Sequence, residues 1–147
     1  MGSDSIRIDF YVLAQATPQA RLRFACRLAE TALKRQHRVH ALTADERVAT
    51  ELDELLWTFR AESFVPHGIA APDAATELPV TIGCDAATAP GSSEVLINLT
   101  PTVPACFEAF HRVAEIIDAS DEGRRDGRER FRFYRDNGFE PQTHHIT

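Results

Sequence analysis

Apolar and polar residues along the chain predict strands and helices in alternation. Segment 6–13 alternates at first and then becomes continuously apolar, which is typical of a central strand buried on both faces. Thr17 followed by Pro18 predicts a helix start, and apolar residues three to four positions apart continue this helix to about Arg35. Segment 38–43 then predicts a second strand.

The alternation continues through the middle of the chain. Segment 43–46 matches a capping box with Thr43 as the cap, and predicts a helix with Leu52 and Leu56 facing inward. The periodicity stops after this helix, where proline and glycine predict loops. Segments 78–82 and 94–99 predict two more strands. The first of them contains a proline, so we place it at a sheet edge or at a strand start.

Two helices complete the predicted set. The first is predicted over about 103–118, from the spacing of Phe107, Phe110, Ala114 and Ile117. The second is strongly basic and ends at Asn137-Gly138, a typical C-terminal cap.

Strand and helix alternation predicts a parallel sheet covered by helices. We therefore expect an α/β three-layer sandwich with a mostly parallel central sheet of about four strands. The 147 residues, 44% of them hydrophobic, suit one domain. We place this domain at 1–139 and expect 140–147 to be a poorly ordered C-terminal tail.

Charge is concentrated in the last predicted helix. Segment 124–135 contains six arginines and two acids, in a chain with a formal net charge of -6. At about 100° per residue, one quadrant of the helix carries Arg124, Arg128, Arg132 and Arg135, with Phe131 at its edge. This pattern favours an acidic partner. The alternative is a solvated helix face held by ion pairs between neighbouring turns.

Two arginines of this helix fall outside the quadrant. Arg130 lies opposite its middle, so we expect Arg130 to face the protein body and to need a carboxylate partner there. Arg125 lies at the far margin. We leave both residues out of the predicted binding site.

Catalytic and cofactor motifs were sought because this fold class often binds nucleotides. The turn after the first strand, 14–18, contains no glycine, which excludes a dinucleotide fingerprint or a phosphate-binding loop there. The fold is therefore Rossmann-like without a nucleotide motif. Histidines and cysteines lack metal-ligand spacing, so we expect no metal, no cofactor and no catalytic site. A catalytic alternative would require Cys84, His67 or His40 to meet carboxylates in a pocket.

The sequence also favours a cytoplasmic location. No apolar run approaches the ~18 residues that a membrane span requires, and residues 1–5 are not a basic segment followed by an apolar one. The three cysteines are widely spaced, which suits free thiols better than disulfides. We expect no membrane contact.

Several motifs together resemble the chi subunit of bacterial DNA polymerase III. They are Asp9-Phe10-Tyr11-Val12-Leu13, Leu52-Asp53-Glu54-Leu55-Leu56-Trp57, Ala61-Glu62-Ser63-Phe64-Val65-Pro66-His67, Arg128-Glu129-Arg130-Phe131-Arg132-Phe133-Tyr134-Arg135 and Gly138-Phe139. The resemblance spans nearly the whole chain. Its most specific part is the block from Trp57 to His67, which no general propensity demands.

The resemblance implies a non-catalytic accessory subunit in DNA replication, one that meets DNA only indirectly. Such a subunit joins the clamp loader through the psi subunit and grips the acidic C-terminal tail of the single-stranded-DNA-binding protein. The implied tail-binding residues are Ile117, Arg124, Arg128, Phe131 and Arg132. The implied psi-facing residues are Trp57, Phe64, Val65 and Pro66. The chain departs from the family where Phe131 replaces a frequent tyrosine and Arg132 a frequent lysine.

Two alternatives stay open on sequence alone. The arginine-rich helix could bind single-stranded nucleic acid directly, with arginines following the backbone and aromatic rings stacking on bases. Trp57 and Phe64 could pack into the core instead of forming a partner surface.

Overall fold

The computed structural model describes residues 6–58, 67–69, 79–84, 94–105 and 107–146. The strands in these ranges are β1 (Arg7–Leu13), β2 (Val39–Leu42), β3 (His67–Ile69), β4 (Val80–Gly83), β5 (Val95–Asn98), β6 (Arg112–Ile117) and β7 (Gln142–Ile146). The α-helices are α1 (Pro18–Lys34), α2 (Glu46–Thr58) and α3 (Asp121–Asp136), and a short 3-10 helix spans Phe107–Ala109.

The described strands form one sheet in the order β3-β4-β2-β5-β6-β1-β7. Every strand pair is parallel, which confirms the predicted α/β architecture. The sheet has seven strands where the sequence predicted about four. The missed strands are β3, β6 and β7.

The helix starts show which capping motifs form. Thr17 caps α1 as predicted, since its Oγ1 accepts a hydrogen bond from the Ala20 amide at 3.2 Å. The predicted Thr43 cap of α2 is wrong. Asp45 takes that role, because its Oδ1 accepts from the Val48 amide at 2.9 Å. Thr43 still belongs to the sheet, where its amide donates to the Gly83 carbonyl at 2.8 Å.

The helix predicted over 103–118 is also wrong. This segment forms the 3-10 helix Phe107–Ala109 and then strand β6, whose residues after Arg112 are all buried. A fully buried strand shows no alternation, so its apolar residues also match helical spacing. The β-branched residues Val113, Ile116 and Ile117 favoured the strand.

Segment 140–147, for which the sequence predicted little order, contributes β7. This edge strand pairs with β1 in parallel. His144 supports the pairing, because its Nε2 lies 2.9 Å from Asp9 Oδ1 and its ring stacks on Tyr11. The polar sequence of β7 gave no periodic signal that would predict a strand.

Two apolar cores lie on opposite faces of the sheet. Alternate residues of β1 point to different sides, so that Leu13 packs with α1 and α2. Phe10 instead packs with Tyr134 of α3. Helices α1 and α2 therefore cover one face and α3 covers the other. Among the described residues, no helix combines the length and apolar character needed to span a membrane.

A buried histidine lies in the centre of the sheet. His40 on β2 is 0% exposed, and its Nδ1 lies 2.7 Å from Thr81 Oγ1. Its Nε2 has no hydrogen-bond partner in the described part of the chain. Burial lowers the pKa of His40 to about 4, because a charged imidazolium would lose its hydration there.

Acid should therefore destabilise the fold through His40. The unfolded residue has a pKa of about 6.5, so between pH 6.5 and 4 the unfolded chain binds a proton that the folded chain excludes. The contribution of neutral His40 to the free energy of unfolding is present above pH 6.5 and falls by about 2 to 3 kcal/mol on reaching pH 4.5. Urea unfolding at pH 7.5 and 4.5 should show a smaller loss in His40→Asn than in the wild type. Equal losses in the two proteins would contradict this role.

Candidate partner-binding surface on helix α3

Helix α3 carries the residues that the sequence singled out. Ser120 caps it, since its Oγ accepts from the Gly123 amide at 2.9 Å. Asp121 and Glu122 occupy the first turn, where negative charge complements the helix dipole. The helix ends at Asp136 with Asn137 as its cap, and Gly138 has a φ of +91°. This end confirms the predicted Asn137-Gly138 cap.

One face of α3 packs closely against β6. Its buried residues are Gly127, Arg130 and Tyr134. A Cβ atom at position 127 would collide with Cδ1 of Ile117, so glycine permits the close approach of the helix. Ile117 is only 9% exposed and belongs to the apolar layer beneath α3.

A buried polar network fixes α3 to the sheet. Glu115 on β6 is 0% exposed, and Arg130 Nε donates to its Oε1 at 2.7 Å. Tyr134 donates its hydroxyl to Oε2 at 2.7 Å, and Asn98 Nδ2 donates to both oxygens at 3.1 and 2.9 Å. The inward position of Arg130 and its carboxylate partner confirm what the sequence predicted.

The protonation states of the network follow from its surroundings. Burial raises the pKa of Glu115, but Arg130, Asn98 and Tyr134 oppose this shift by donating to the charged carboxylate. Burial and the neighbouring Glu115 raise the pKa of Tyr134, so the phenol keeps its proton and donates it. The network is therefore a charged, hydrogen-bonded anchor for α3.

The opposite face of α3 is open to solvent and positively charged. A shallow depression of about 570 Å³ is lined by Arg128, Phe131, Arg132, Arg135 and Asp136. The Phe131 ring is half-buried, with its centroid 5.2 Å from that of Phe10. An apolar ring thus lies among arginine side chains, an arrangement suited to an acidic peptide that ends in an apolar residue.

The predicted tail-binding residues do not all line this depression. The structure brings together Arg128, Phe131 and Arg132. Arg124 is exposed one turn earlier on α3, and Ile117 lies below the helix. Arg135 and Asp136 line the depression but were outside the predicted site. The arginine stripe pointed to Arg135, whereas no sequence signal marked the acid.

Trp57, the described member of the predicted psi-facing set, is unusually exposed. Its side chain at the end of α2 is 55% exposed, and its ring centroid lies 4.6 Å from that of His67. His67 connects β3 to α2, since its Nε2 lies 3.0 Å from the Asp53 carbonyl oxygen. The core-packing alternative for Trp57 is therefore wrong. Phe64, Val65 and Pro66 lie outside the described residues.

A crevice lies at the carboxyl ends of β1 and β6, because the helices that follow these two strands lie on opposite faces of the sheet. Proteins with this α/β topology commonly bind ligands in such a crevice. In this chain the crevice is lined by Arg21, Asp118, Glu122, Asp126 and Arg130, among others. Several of these side chains bond to the chain itself, although Arg21 Nε has no hydrogen-bond partner among the described residues. Asp118 Oδ1 accepts from the Ser120 amide at 2.9 Å, and Arg21 donates to the Leu99 carbonyl at 2.8 Å.

The catalytic alternative involved His40, His67 and Cys84, and these three residues lie in different environments. His40 is enclosed in the core, His67 is 7% exposed and Cys84 is exposed after β4. Burial raises the pKa of the Cys26 thiol to about 12, so Cys26 is a structural thiol. Cys106 lies outside the described residues. Within the described ranges, no three metal-ligating side chains of His, Cys, Asp or Glu converge.

The fold and the α3 surface define a class: an all-parallel α/β domain with helices on both sheet faces and an exposed cationic helix. A family model described as "DNA polymerase III chi subunit, HolC" matches residues 6–142. The chain belongs to this family, which confirms the resemblance seen in the sequence.

Three relatives carry the name "DNA polymerase III subunit chi". The Pseudomonas aeruginosa protein is 44% identical over 141 residues, which cover 95% of this chain and 96% of the relative. The Escherichia coli protein is 32% identical over 118 residues, or 80% of each chain. The Haemophilus influenzae protein is 25% identical over 138 residues, covering 94% and 96%. The chi subunit is an accessory subunit of the polymerase complex and not its catalytic one.

Proposed function

We propose that the chain is a replication adaptor within the DNA polymerase III complex. It joins the clamp loader through the psi subunit and holds the acidic C-terminal tail of the single-stranded-DNA-binding protein on α3. Its contact with DNA is indirect, and it acts in the cytoplasm, where bacterial chromosomes are replicated.

The observation that carries this proposal is the α3 depression. Its walls contain three arginines and one acid, in a chain of net charge -6, and Phe131 supplies an apolar surface. Burial of one aromatic ring of the tail contributes about 1.5 to 3 kcal/mol, and each exposed ion pair about 0.2 to 1 kcal/mol. After the loss of tail entropy, we expect a weak contact near the micromolar end, with a binding free energy of about -8 kcal/mol at best.

Trp57 supports a second, separate surface for psi. Large exposed aromatic side chains are enriched among the energetically important residues of interfaces. Trp57 lies on α2, whereas the tail depression lies on α3 across the sheet. The two partners can therefore bind at the same time, as an adaptor requires. We place Phe64, Val65 and Pro66 in the same psi surface because the family resemblance implies them.

A bridging experiment tests the adaptor role. Single-stranded-DNA-binding protein is immobilised on DNA-coated beads, and retention of psi is measured with and without the chain. We expect psi to be retained only when the chain is present. Trp57→Ala should remain on the beads but bind psi roughly 30-fold more weakly, the equivalent of about 2 kcal/mol.

Phe133→Ala is the matched control, because Phe133 on α3 is also a large exposed apolar side chain, at 44%. This variant should retain psi as the wild type does. Arg128→Ala should reduce the amounts of both the chain and psi on the beads in parallel. Retention of psi without the chain, or undiminished retention by Trp57→Ala, would contradict the proposed bridge.

A further inference from the structure

A second cationic groove lies on the sheet face opposite α3. It runs between the first half of α1 and the β1–β7 end of the sheet and has a volume of about 420 Å³. Leu13, Phe24 and Ile146 form its apolar part, and Gln19, Arg23 and Arg27 project from α1 along its wall. The α3 depression shares none of these residues.

The charge of this groove is uncompensated. Arg23 and Arg27 are exposed, and neither forms an ion pair within the described ranges. None of the described residues that line the groove is acidic. Glu51 and Glu54 of α2 lie in a different depression, which Arg23 also borders. In a chain of net charge -6, such a local positive patch attracts an acidic ligand.

The arginine spacing is compatible with an extended ligand. Arg23 and Arg27 are four residues apart on α1, which separates them by about 6 Å along the helix axis. Alternate side chains of an extended peptide lie about 6.7 Å apart on one side. Acids at alternate positions could thus face both arginines, while the side chains between them face the apolar part.

The groove lacks the features of a single-stranded-DNA site. Such sites stack bases on open aromatic rings. Phe24 is only 8% exposed, and Arg27 Cζ already lies 5.6 Å from the centre of its ring. The acidic remainder of the chain would also repel a phosphate backbone beyond the patch.

We propose that the groove flanked by Arg23 and Arg27 binds an extended acidic segment of a partner protein, with acidic and apolar side chains in alternation. This binding is independent of the tail site on α3. It gives the chain a second contact point for acidic protein segments.

The test uses a fluorescent Gly-Asp-Leu-Asp-Leu-Asp-Gly peptide, blocked at both ends, and fluorescence anisotropy. All variants carry Arg128→Ala, which impairs the α3 depression. The blocked probe also lacks the terminal carboxylate that the α3 depression would bind. The added pair Arg23→Gln and Arg27→Gln should weaken binding about tenfold, as loss of two exposed ion pairs allows. The matched pair Arg35→Gln and Arg47→Gln removes the same charge from exposed positions outside the groove and should change binding less than about twofold.

Three kinds of result would overturn the proposal. One is absence of probe binding. The second is an equal effect of the two arginine pairs, or equal binding of a peptide with its three aspartates adjacent, because non-specific charge would then suffice. The third is an oligothymidine that binds with the same dependence on Arg23 and Arg27, since this would make the groove a nucleic-acid surface. Because the background already impairs α3, each result is independent of whether the tail site exists.

Discussion

Arg128→Ala should weaken binding of an acidic tail peptide by about 1 kcal/mol, roughly fivefold. Arg128 is exposed and lines the α3 depression beside Phe131. Its guanidinium can donate charge-assisted hydrogen bonds to a carboxylate, which are stronger than neutral ones. Isothermal titration calorimetry with a free-carboxylate peptide measures the change. If the wild type binds at about 1 micromolar, the variant's dissociation constant should be about 5 micromolar.

Arg125→Ala is the matched control for this prediction. Arg125 lies on the same helix and carries the same charge, but it borders Asp126 at 3.8 Å and does not line the depression. Its substitution should change the affinity less than about twofold. Equal weakening by both substitutions would show that only the overall charge of α3 matters.

Arg130→Ala should destabilise the fold by about 3 to 5 kcal/mol. Arg130 is 5% exposed, and its removal leaves the carboxylate of Glu115 buried without its cationic partner. Because Glu115 also accepts from Tyr134 and Asn98, the loss affects the whole anchor of α3. Urea unfolding at neutral pH measures the free energy of unfolding directly.

Arg132→Ala separates this effect from a general loss of charge. Arg132 is exposed, and its substitution should change the free energy of unfolding by less than about 0.5 kcal/mol. A loss below about 1 kcal/mol in Arg130→Ala would contradict the role of the buried pair. The two arginines, two positions apart on one helix, therefore have different environments: Arg130 anchors α3, and Arg132 is exposed on the proposed partner surface.

The features predicted correctly from sequence rest on short-range patterns. The Thr17 cap, the Asn137-Gly138 end and the inward position of Arg130 each follow from spacing within a few residues. The helical wheel also brought together Arg128, Phe131 and Arg132. These predictions held because the geometry of an α-helix alone fixes which of its residues share a face.

The features that were missed depend on tertiary context. Strand β6 is buried on both faces, so its sequence carries no alternation that distinguishes it from a helix. Strand β7 is polar and is held by pairing with β1, including the contact between His144 and Asp9. Glu115 was not identified as the partner of Arg130, because the segment containing it was assigned to a helix.

The candidate binding surfaces also combine features that the sequence predicted with features that depend on the fold. The charge and apolar character of the α3 depression could be predicted, but the contribution of Asp136 could not, because local charge patterning marks the arginines alone. Exposure of Trp57 also depends on the surrounding fold, and the sequence left it undecided. The family resemblance suggested the proposed partners, which residue patterns alone cannot name.

The most direct test of tail binding compares two ligands by calorimetry at two salt concentrations. The ligands are an acidic peptide ending in Ile-Pro-Phe and a single-stranded oligonucleotide. We expect the peptide to bind near the micromolar range, more weakly at high salt, and to lose binding when its C-terminus is amidated. Binding of the oligonucleotide alone would contradict the adaptor role and make the arginine face of α3 a nucleic-acid surface.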